Sequence, residues 1–313
     1  MPVRISRVPL AATLTAVVGA VVLLTVPAHL REPVNASILW VPAPSGPAGT
    51  GTPSRPTDGP VDTAESRPSP TVPATPPDAR TLPGATPPGT RPPVVDHGPR
   101  TGNKVALTFD ADMTDAMRYQ LRSGAVRSYA NLRILDLLER ERVPATFFLT
   151  GKWVEQYPQV TRRLAANPRF ELANHTYAHL AFTSDCYGLP RLPQRQMTAD
   201  VARTFDIVAP YGGRQTRYFR FPGLCHDRAA LDALAPLGVT VVDGDVVSGD
   251  PFATSWRPIV RAVLDGVRPG SVVVLHVTEA NAPMTDEALP HILAGLAERG
   301  LEPAPLSEVL QHR

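Results

Sequence analysis

The run His175-Thr176-Tyr177-Ala178-His179 places two imidazoles four positions apart, and it is the sharpest chemical pattern in the chain. If a helix begins at this point, side chains four positions apart lie on one face and can share one metal ion. The run lacks the glutamate after the first histidine that marks zinc-dependent proteases. Taken alone, the spacing is more typical of structural or surface histidines than of a metal site.

A pair of carboxylates elsewhere in the sequence could complete a metal site with the two histidines. In the segment Thr108-Phe109-Asp110-Ala111-Asp112, the two aspartates are separated by one residue. Because side chains alternate along an extended chain, both carboxylates point to the same side. One can bind a metal ion while the other takes a proton from metal-bound water. The structural alternative is a pair of turn-forming aspartates at the end of a strand.

Alternating strands and helices must position these groups. The segment 104–110 is apolar and ends in an acid, which indicates a buried strand, and 129–142 has leucines at helical spacing. Further strands are expected over 145–150, 170–174, 217–221, 239–243 and 271–276, and further helices over 154–166, 198–208, 228–237, 258–267 and 286–298. Such βα units predict a parallel sheet covered by helices, as a barrel or a doubly wound sheet. In both architectures, ligands bind at the carboxyl ends of the strands.

Reactive residues recur at these strand ends. They are Asp110 and Asp112, Asn174 and His175, Arg220, Asp243 and Asp245, and His276. Capping groups and ion pairs would explain some of them, but not their presence at the same end of almost every strand. The sequence therefore predicts one composite site.

Composition divides the chain into three parts. Many of its 36 prolines fall between residues 31 and 100, a segment with too little apolar surface to offset the entropy of ordering. We expect a disordered tether over 31–100 and one α/β domain over 101–313, which we take to be monomeric. Charge is nearly balanced, with 31 basic and 29 acidic residues and no dense basic run, so nucleic acid is excluded as a partner.

The first thirty residues have the pattern of an export signal. Arg4 and Arg7 precede an apolar stretch, 8–26, of about 19 residues, which is long enough to cross a bilayer as a helix. The positive-inside rule places the rest of the chain outside the cytoplasm. We therefore expect residues 1–30 to be a cleaved signal peptide or a membrane anchor, and the domain to be secreted or membrane-attached.

Five ordered motifs resemble those of one family. They are Leu107-Thr108-Phe109-Asp110, His175 to His179, Arg220-Phe221-Pro222, the stretch from Asp245 to Asp250, and Leu275-His276. Together they are similar to the polysaccharide deacetylases of carbohydrate esterase family 4, with their NodB-homology domain. The resemblance covers nearly all of residues 103–310. It implies a distorted (β/α) barrel of seven or eight strands that removes acetyl groups from cell-surface glycan, such as peptidoglycan or chitin-type oligomers, with a divalent metal, most commonly zinc.

The resemblance also implies residue roles. Asp110 resembles the general base, His175 and His179 resemble metal ligands, and His276 resembles the general acid. Arg220 resembles the arginine that orients the base, with Asp250 or Asp245 as its acidic partner. Leu275 is expected to line the pocket for the acetyl methyl.

Two positions depart from the family pattern. Ala111 stands where the family has its metal-binding aspartate, so we assign that role to Asp112, one residue later. If Asp112 cannot reach the metal, Asp110 would bind it instead, or the site would hold no metal. Gly223 replaces an aromatic residue after the Arg-Phe-Pro motif, although its backbone N–H can still serve the oxyanion.

The remaining patterns limit the alternatives. Cys186 and Cys225, the chain's two cysteines, are expected to form a disulfide in an exported protein, with free thiols or metal ligation as alternatives. No G-x-S-x-G elbow, P-loop or dinucleotide fingerprint is present, which disfavours serine hydrolases and nucleotide enzymes. Two rival functions are a glycan-binding pseudoenzyme of the same fold and a C–N hydrolase acting on a small amide.

Overall fold

The computed structural model describes residues 78–311. The predicted leader over 1–30 and most of the predicted tether lie outside these residues. Within 78–311, no helix is both long enough and apolar enough to cross a membrane.

A nine-stranded sheet with parallel pairing forms the centre of the fold. Its strands are β1 (Val94–Val95), β2 (Lys104–Ala111), β3 (Ala145–Leu149), β4 (Phe170–Asn174), β5 (Arg214–Phe219), β6 (Thr240–Val242), β7 (Val246–Val247), β8 (Val272–His276) and β9 (Glu302–Pro303). The order is β1-β6-β5-β4-β3-β2-β8-β7, and β9 pairs with the start of β2. An isolated bridge between His97 and Ser271 joins the chain after β1 to the start of β8. The sheet is therefore an incomplete (β/α) barrel, which confirms the expected fold class.

Helices surround the sheet, and all but the last lie on its outer side. They are α1 (Asp115–Arg122), α2 (Leu132–Arg140), α3 (Gly151–Gln156), α4 (Pro158–Ala166), α5 (Gln194–Val208), α6 (Arg228–Leu234), α7 (Trp256–Gly266), α8 (Thr285–Glu298) and α9 (Leu306–Leu310). The single helix expected over 154–166 is two helices, because Pro158 cannot donate a backbone hydrogen bond and begins a new helix.

Successive side chains along each strand point to opposite faces of the sheet, so the strands contribute to two separate hydrophobic cores. In β2, Leu107 and Phe109 face the helices and pack in the main hydrophobic cluster. Ala106 lies on the opposite side and packs in a second cluster within the barrel, together with Phe148. Thr108 and Asp110 share this inner face, since they lie two and four positions after Ala106.

Helix α9 packs at one end of the barrel interior. Leu306 and Val309 belong to the inner cluster. The buried Glu171 carboxylate of β4 accepts hydrogen bonds from the backbone N–H of Ser307 at 3.1 Å and from Arg214 at 2.8 Å. This end of the barrel is filled by structural contacts, which leaves the carboxyl ends of the strands for the site.

The folded domain begins earlier than the expected boundary at residue 101. Val95 is buried, and β1 pairs with β6 in parallel. The carbonyls of Pro83 and Pro93 accept N–H groups from β5 and β6 at 2.7 and 2.9 Å. Residues 78–100 are thus part of the barrel, and the end of the predicted tether was wrong because prolines lack a backbone N–H but still offer carbonyls to a sheet edge.

Candidate metal and acid–base site

Asp112, His175 and His179 converge where the strands end. Their ligand atoms all lie within 4.8 Å of one another, and the three residues are buried. Asp112 Oδ1 is 3.4 Å from His175 Nε2 and 3.3 Å from His179 Nε2. One carboxylate and two imidazoles form a ligand set suited to a catalytic divalent metal, which keeps positions open for water and substrate.

The hydrogen bonds fit a metal ion at this point. Asp112 Oδ1 is buried without a hydrogen-bond partner, a costly state unless a cation satisfies it. His175 Nδ1 lies 2.9 Å from the Arg220 carbonyl, and because a carbonyl only accepts, Nδ1 carries the proton. The lone pair of His175 is therefore on Nε2, which faces Asp112.

The segment between the two histidines is a loop, and the conditional expectation of a helix there was wrong. Thr176 and His179 have left-handed φ angles of 72° and 54°, which no α-helix contains. His179 N–H donates to Thr176 Oγ1 at 3.0 Å. The imidazoles still meet, with ring centroids 5.0 Å apart, because the chain folds back after β4.

Neighbouring elements hold this loop in place. The first backbone N–H groups of α3, those of Gly151 and Lys152, donate to the carbonyls of Thr176 and Tyr177 at 3.0 and 2.9 Å. From α5, the Asp200 carboxylate accepts the Tyr177 N–H at 2.8 Å. Sequence inspection missed Asp200, because nothing in the composition of α5 marks this contact.

Asp110 forms an ion pair with a fully buried arginine. Arg220 Nη1 lies 2.7 Å from Asp110 Oδ1 and also donates to Thr108 Oγ1 at 2.9 Å. Arg220 Nε donates to the Val242 carbonyl at 3.0 Å, and its guanidinium lies over the Phe148 ring. The arginine thus extends into the barrel interior and fixes one carboxylate oxygen, while Asp110 Oδ2 faces His175 Nε2 at 3.8 Å.

The acidic partner of Arg220 was expected to be Asp250 or Asp245. In the structure it is Asp110. Asp250 instead bonds to His276. Asp245 accepts the Val272 N–H at 2.8 Å and pairs with Arg100, so it lies at the amino end of β8, away from the site. Asp245 lies away from the site because it precedes β7, whereas Asp250 follows it.

His276, at the end of β8, faces the candidate metal ligand Asp112. Its Nε2 is 3.8 Å from Asp112 Oδ2, and its Nδ1 lies 2.8 Å from Asp250 Oδ1. Asp250 Oδ2 accepts the His276 backbone N–H and the Thr285 hydroxyl, both at 2.7 Å. Ser248 donates to Asp250 Oδ1 at 2.8 Å. The two hydroxyl donors were not found from sequence, since neither lies in a recognisable motif.

Burial and charge separate the protonation states of the site. Burial would raise the pKa of Asp112, but the surrounding imidazoles outweigh it and hold this pKa well below its ordinary range. Burial lowers the pKa of His179 to about 4, which leaves a neutral imidazole at neutral pH. Burial opposes protonation of His276, yet the Asp250 and Asp112 carboxylates raise its pKa to about 10.

Leu275 does not line the site. It is fully buried in the main core cluster between sheet and helices. Since neighbouring side chains in a strand point to opposite faces, Leu275 points outward where His276 points to the site. The expected contact with an acetyl methyl was therefore wrong.

A disulfide links the loops that follow the histidine and arginine motifs. Cys186 and Cys225 are bonded, with Cα atoms 5.9 Å apart. Gly223 lies beside this bond with a φ of 61°. A Cβ at Gly223 would lie 2.7 Å from Cys186 Sγ and 2.9 Å from the Tyr187 ring, so glycine is required for this close approach.

Fold and site together define an α/β barrel whose strand ends carry a candidate His-His-Asp metal site, an arginine-paired aspartate and an aspartate-paired histidine. Comparison with known proteins gives the family. The polysaccharide deacetylase model matches residues 97–242. A chitooligosaccharide deacetylase of Rhizobium leguminosarum bv. phaseoli is 36% identical over 143 residues, which are 46% of this chain and 60% of that protein. One of Sinorhizobium fredii is 30% identical over 177 residues, which are 53% of this chain and 79% of that protein.

A solved structure shares the fold. A carbohydrate esterase family 4 pseudoenzyme from Bacillus anthracis matches with a TM-score of 0.56 and 21% identity, over 70% of this chain and 69% of that one. The chain belongs to the polysaccharide deacetylases of carbohydrate esterase family 4, the NodB-homology family.

Proposed function

We propose that this protein is a metal-dependent hydrolase that removes acetyl groups from N-acetylated glycan, with chitin-type oligomers and peptidoglycan as substrates. The main observation behind this proposal is that Asp112 Oδ1 is buried without a hydrogen-bond partner and faces two imidazole nitrogens. On either side lie the Asp110 carboxylate, which Arg220 holds, and the His276 imidazole, which Asp250 holds. Membership of the family and the activity named for the two rhizobial relatives support the reaction type.

Asp112, His175 and His179 are the residues that would hold the metal. A divalent ion held there, most commonly zinc in this family, would act as a Lewis acid that polarises the acetyl carbonyl and lowers the pKa of a bound water. Asp112 takes the place of the aspartate that the family has one residue earlier, and Ala111 instead packs in the core.

Asp110 acts as the general base in this proposal. Arg220 holds its Oδ1, which leaves Oδ2 to accept a proton from the attacking water. The ion pair fixes the position of the carboxylate through a residue that cannot be deprotonated.

His276 acts as the general acid. Its Nδ1–H donates to Asp250, and this bond orients the ring so that Nε2 faces the site. From Nε2, a proton passes to the departing sugar nitrogen as the C–N bond breaks. The Gly223 N–H is proposed to stabilise the oxyanion from the other rim.

The protein is further proposed to work outside the cytoplasm. The apolar segment at 8–26 and the Cys186–Cys225 disulfide both support this location.

Acetate release tests the proposal. Purified protein is incubated with tetra-N-acetylchitotetraose, peptidoglycan, acetylxylan and small amides, with and without chelator. We expect release from the first two substrates, loss with chelator and recovery on adding zinc. Release from small amides alone would favour the C–N hydrolase, and stoichiometric metal without acetate from any sugar would favour the pseudoenzyme.

A further inference from the structure

Two strongly exposed aromatic rings contact each other, and each lies on a segment that follows or carries site residues. Tyr187 is 75% exposed and Phe252 is 77% exposed, and their ring centroids are 6.2 Å apart with 35° between the planes. Exposed rings of this size leave apolar surface in water. We call the pair the aromatic platform.

The platform joins two segments that carry site residues. Tyr187 directly follows Cys186, whose disulfide leads to Cys225 in the segment after Arg220. Phe252 ends the short 3-10 turn that begins at Asp250, the partner of His276. The two rings therefore lie where the loops on either side of the acid–base groups approach each other.

The position of Tyr187 is enforced by its neighbours. Its φ of 50° is in the left-handed region, which is unfavourable for an aromatic residue. The disulfide fixes the residue before it, and the absence of a side chain at Gly223 leaves room for the ring. Backbone strain that the surrounding structure maintains is typical of ligand-binding positions.

The shape and chemistry of the platform suit one sugar ring. A pyranose presents C–H groups on its faces and hydroxyl groups around its edge, so it can stack on aromatic rings while its hydroxyls stay hydrated. Two rings are far too small for a stable protein interface, which buries roughly 1,200–2,000 Å². A glycan is therefore the occupant that agrees with the place of the platform beside the proposed active site.

We propose that Tyr187 and Phe252 form a subsite that stacks a neighbouring N-acetylglucosamine ring of a chitin-type oligomer while another ring is deacetylated. This inference rests on the proposed function for its substrate. It predicts that oligomers bind more tightly than single sugars, because only an oligomer can reach the proposed active site and the aromatic platform at the same time.

Direct binding provides the test. The zinc-loaded full chain is titrated with tetra-N-acetylchitotetraose by calorimetry. Tyr187→Leu and Phe252→Leu should each weaken binding by about tenfold, the effect of one lost aromatic contact, whereas Tyr187→Phe should keep it. Tyr119→Leu is the matched control, because Tyr119 is also strongly exposed but lies on α1. Melting temperatures confirm that the variants are folded.

Kinetics separate this inference from the proposed function. With tetraose, the two leucine variants should raise KM by about the same factor and leave kcat nearly unchanged. With single N-acetylglucosamine, KM should not change. Unaltered affinity in both variants, or no binding of tetraose by the unmodified chain, would overturn the subsite. Binding that depends on the two rings without any acetate release would support the subsite and contradict the deacetylase.

Discussion

At the level of single residues, the main feature of the site is that neighbouring groups compensate the charges of two buried aspartates. Asp110 and Asp112 are both buried, and each has its own cationic or polarising neighbours. Arg220 neutralises Asp110, while Asp112 faces imidazoles and has one oxygen left for a metal. A buried charge without such compensation is strongly destabilising. The two carboxylates can therefore hold different roles although one residue separates them.

Asp110→Asn tests the base. The variant should keep its metal, because Asp112 and both histidines remain, but lose turnover by about two to four powers of ten. Metal content and kcat are measured on the same preparation. His179→Ala is the comparison and should lose metal and turnover together. An asparagine variant with unchanged kcat would transfer the base role elsewhere.

Asp250→Asn tests the positioning of the acid. Because Asp250 accepts from His276 at 2.8 Å, its loss should lower kcat roughly 10- to 100-fold while metal content is kept. Asp245→Asn is the matched control at the opposite end of β8, and it should leave kcat unchanged. Equal effects of the two substitutions would show that Asp250 acts only through stability.

At the level of elements, the histidine loop depends on α3 and α5. Asp200 of α5 bonds to the loop backbone, and burial raises the pKa of its carboxyl to about 6. Between about pH 4 and pH 6, the folded protein thus holds a proton that the unfolded chain has released. The free energy of unfolding should therefore fall as the pH rises through this window.

Asp200→Asn should remove this contribution. The difference in unfolding free energy between variant and unmodified protein, measured in urea at pH 4, 5, 6 and 7, should change mainly below pH 6 and be level above it. A difference that is constant from pH 4 to pH 7 would contradict the raised pKa.

The strands could be predicted more closely than the loops. The expected strand at 170–174 agrees with β4, and Asp110, His175, Arg220 and His276 meet as the strand-end argument requires. Apolar runs reveal strands because burial selects them directly. The histidine loop was mistaken for a possible helix, because its shape depends on hydrogen bonds from α3 and α5 that local sequence does not encode. The opposite faces of Leu275 and His276 follow from alternation and could have been inferred.

At the level of the whole molecule, the proline-rich segment before β2 adds the edge strand β1 to the incomplete barrel. Besides the proline carbonyls, the Val95 carbonyl accepts the Asp243 N–H, and the Gly84 carbonyl accepts the Thr240 hydroxyl, both at 2.9 Å. Gly98 also packs against the Val309 carbonyl of α9. Composition could not reveal these contacts, because this segment makes them with backbone atoms that every residue has.

Two truncated chains test this contribution. A chain beginning at residue 101 should be less stable than one beginning at residue 78 by on the order of 6 kcal/mol, since six backbone hydrogen bonds between this segment and the rest of the domain, worth roughly 1 kcal/mol each, are lost. Urea unfolding of both chains measures the difference. Equal stability would show that residues 78–100 pack without supporting the barrel.

The bond between Cys186 and Cys225 has a practical consequence for anyone preparing the protein. Glutathione and thioredoxin in the interior of ordinary bacterial expression hosts keep thiols reduced, so material purified from there would carry two free sulfhydryls. Such a preparation would retain the barrel, yet Tyr187 would no longer be anchored. Assays on oligomers should therefore use protein recovered from the periplasm or reoxidised after purification.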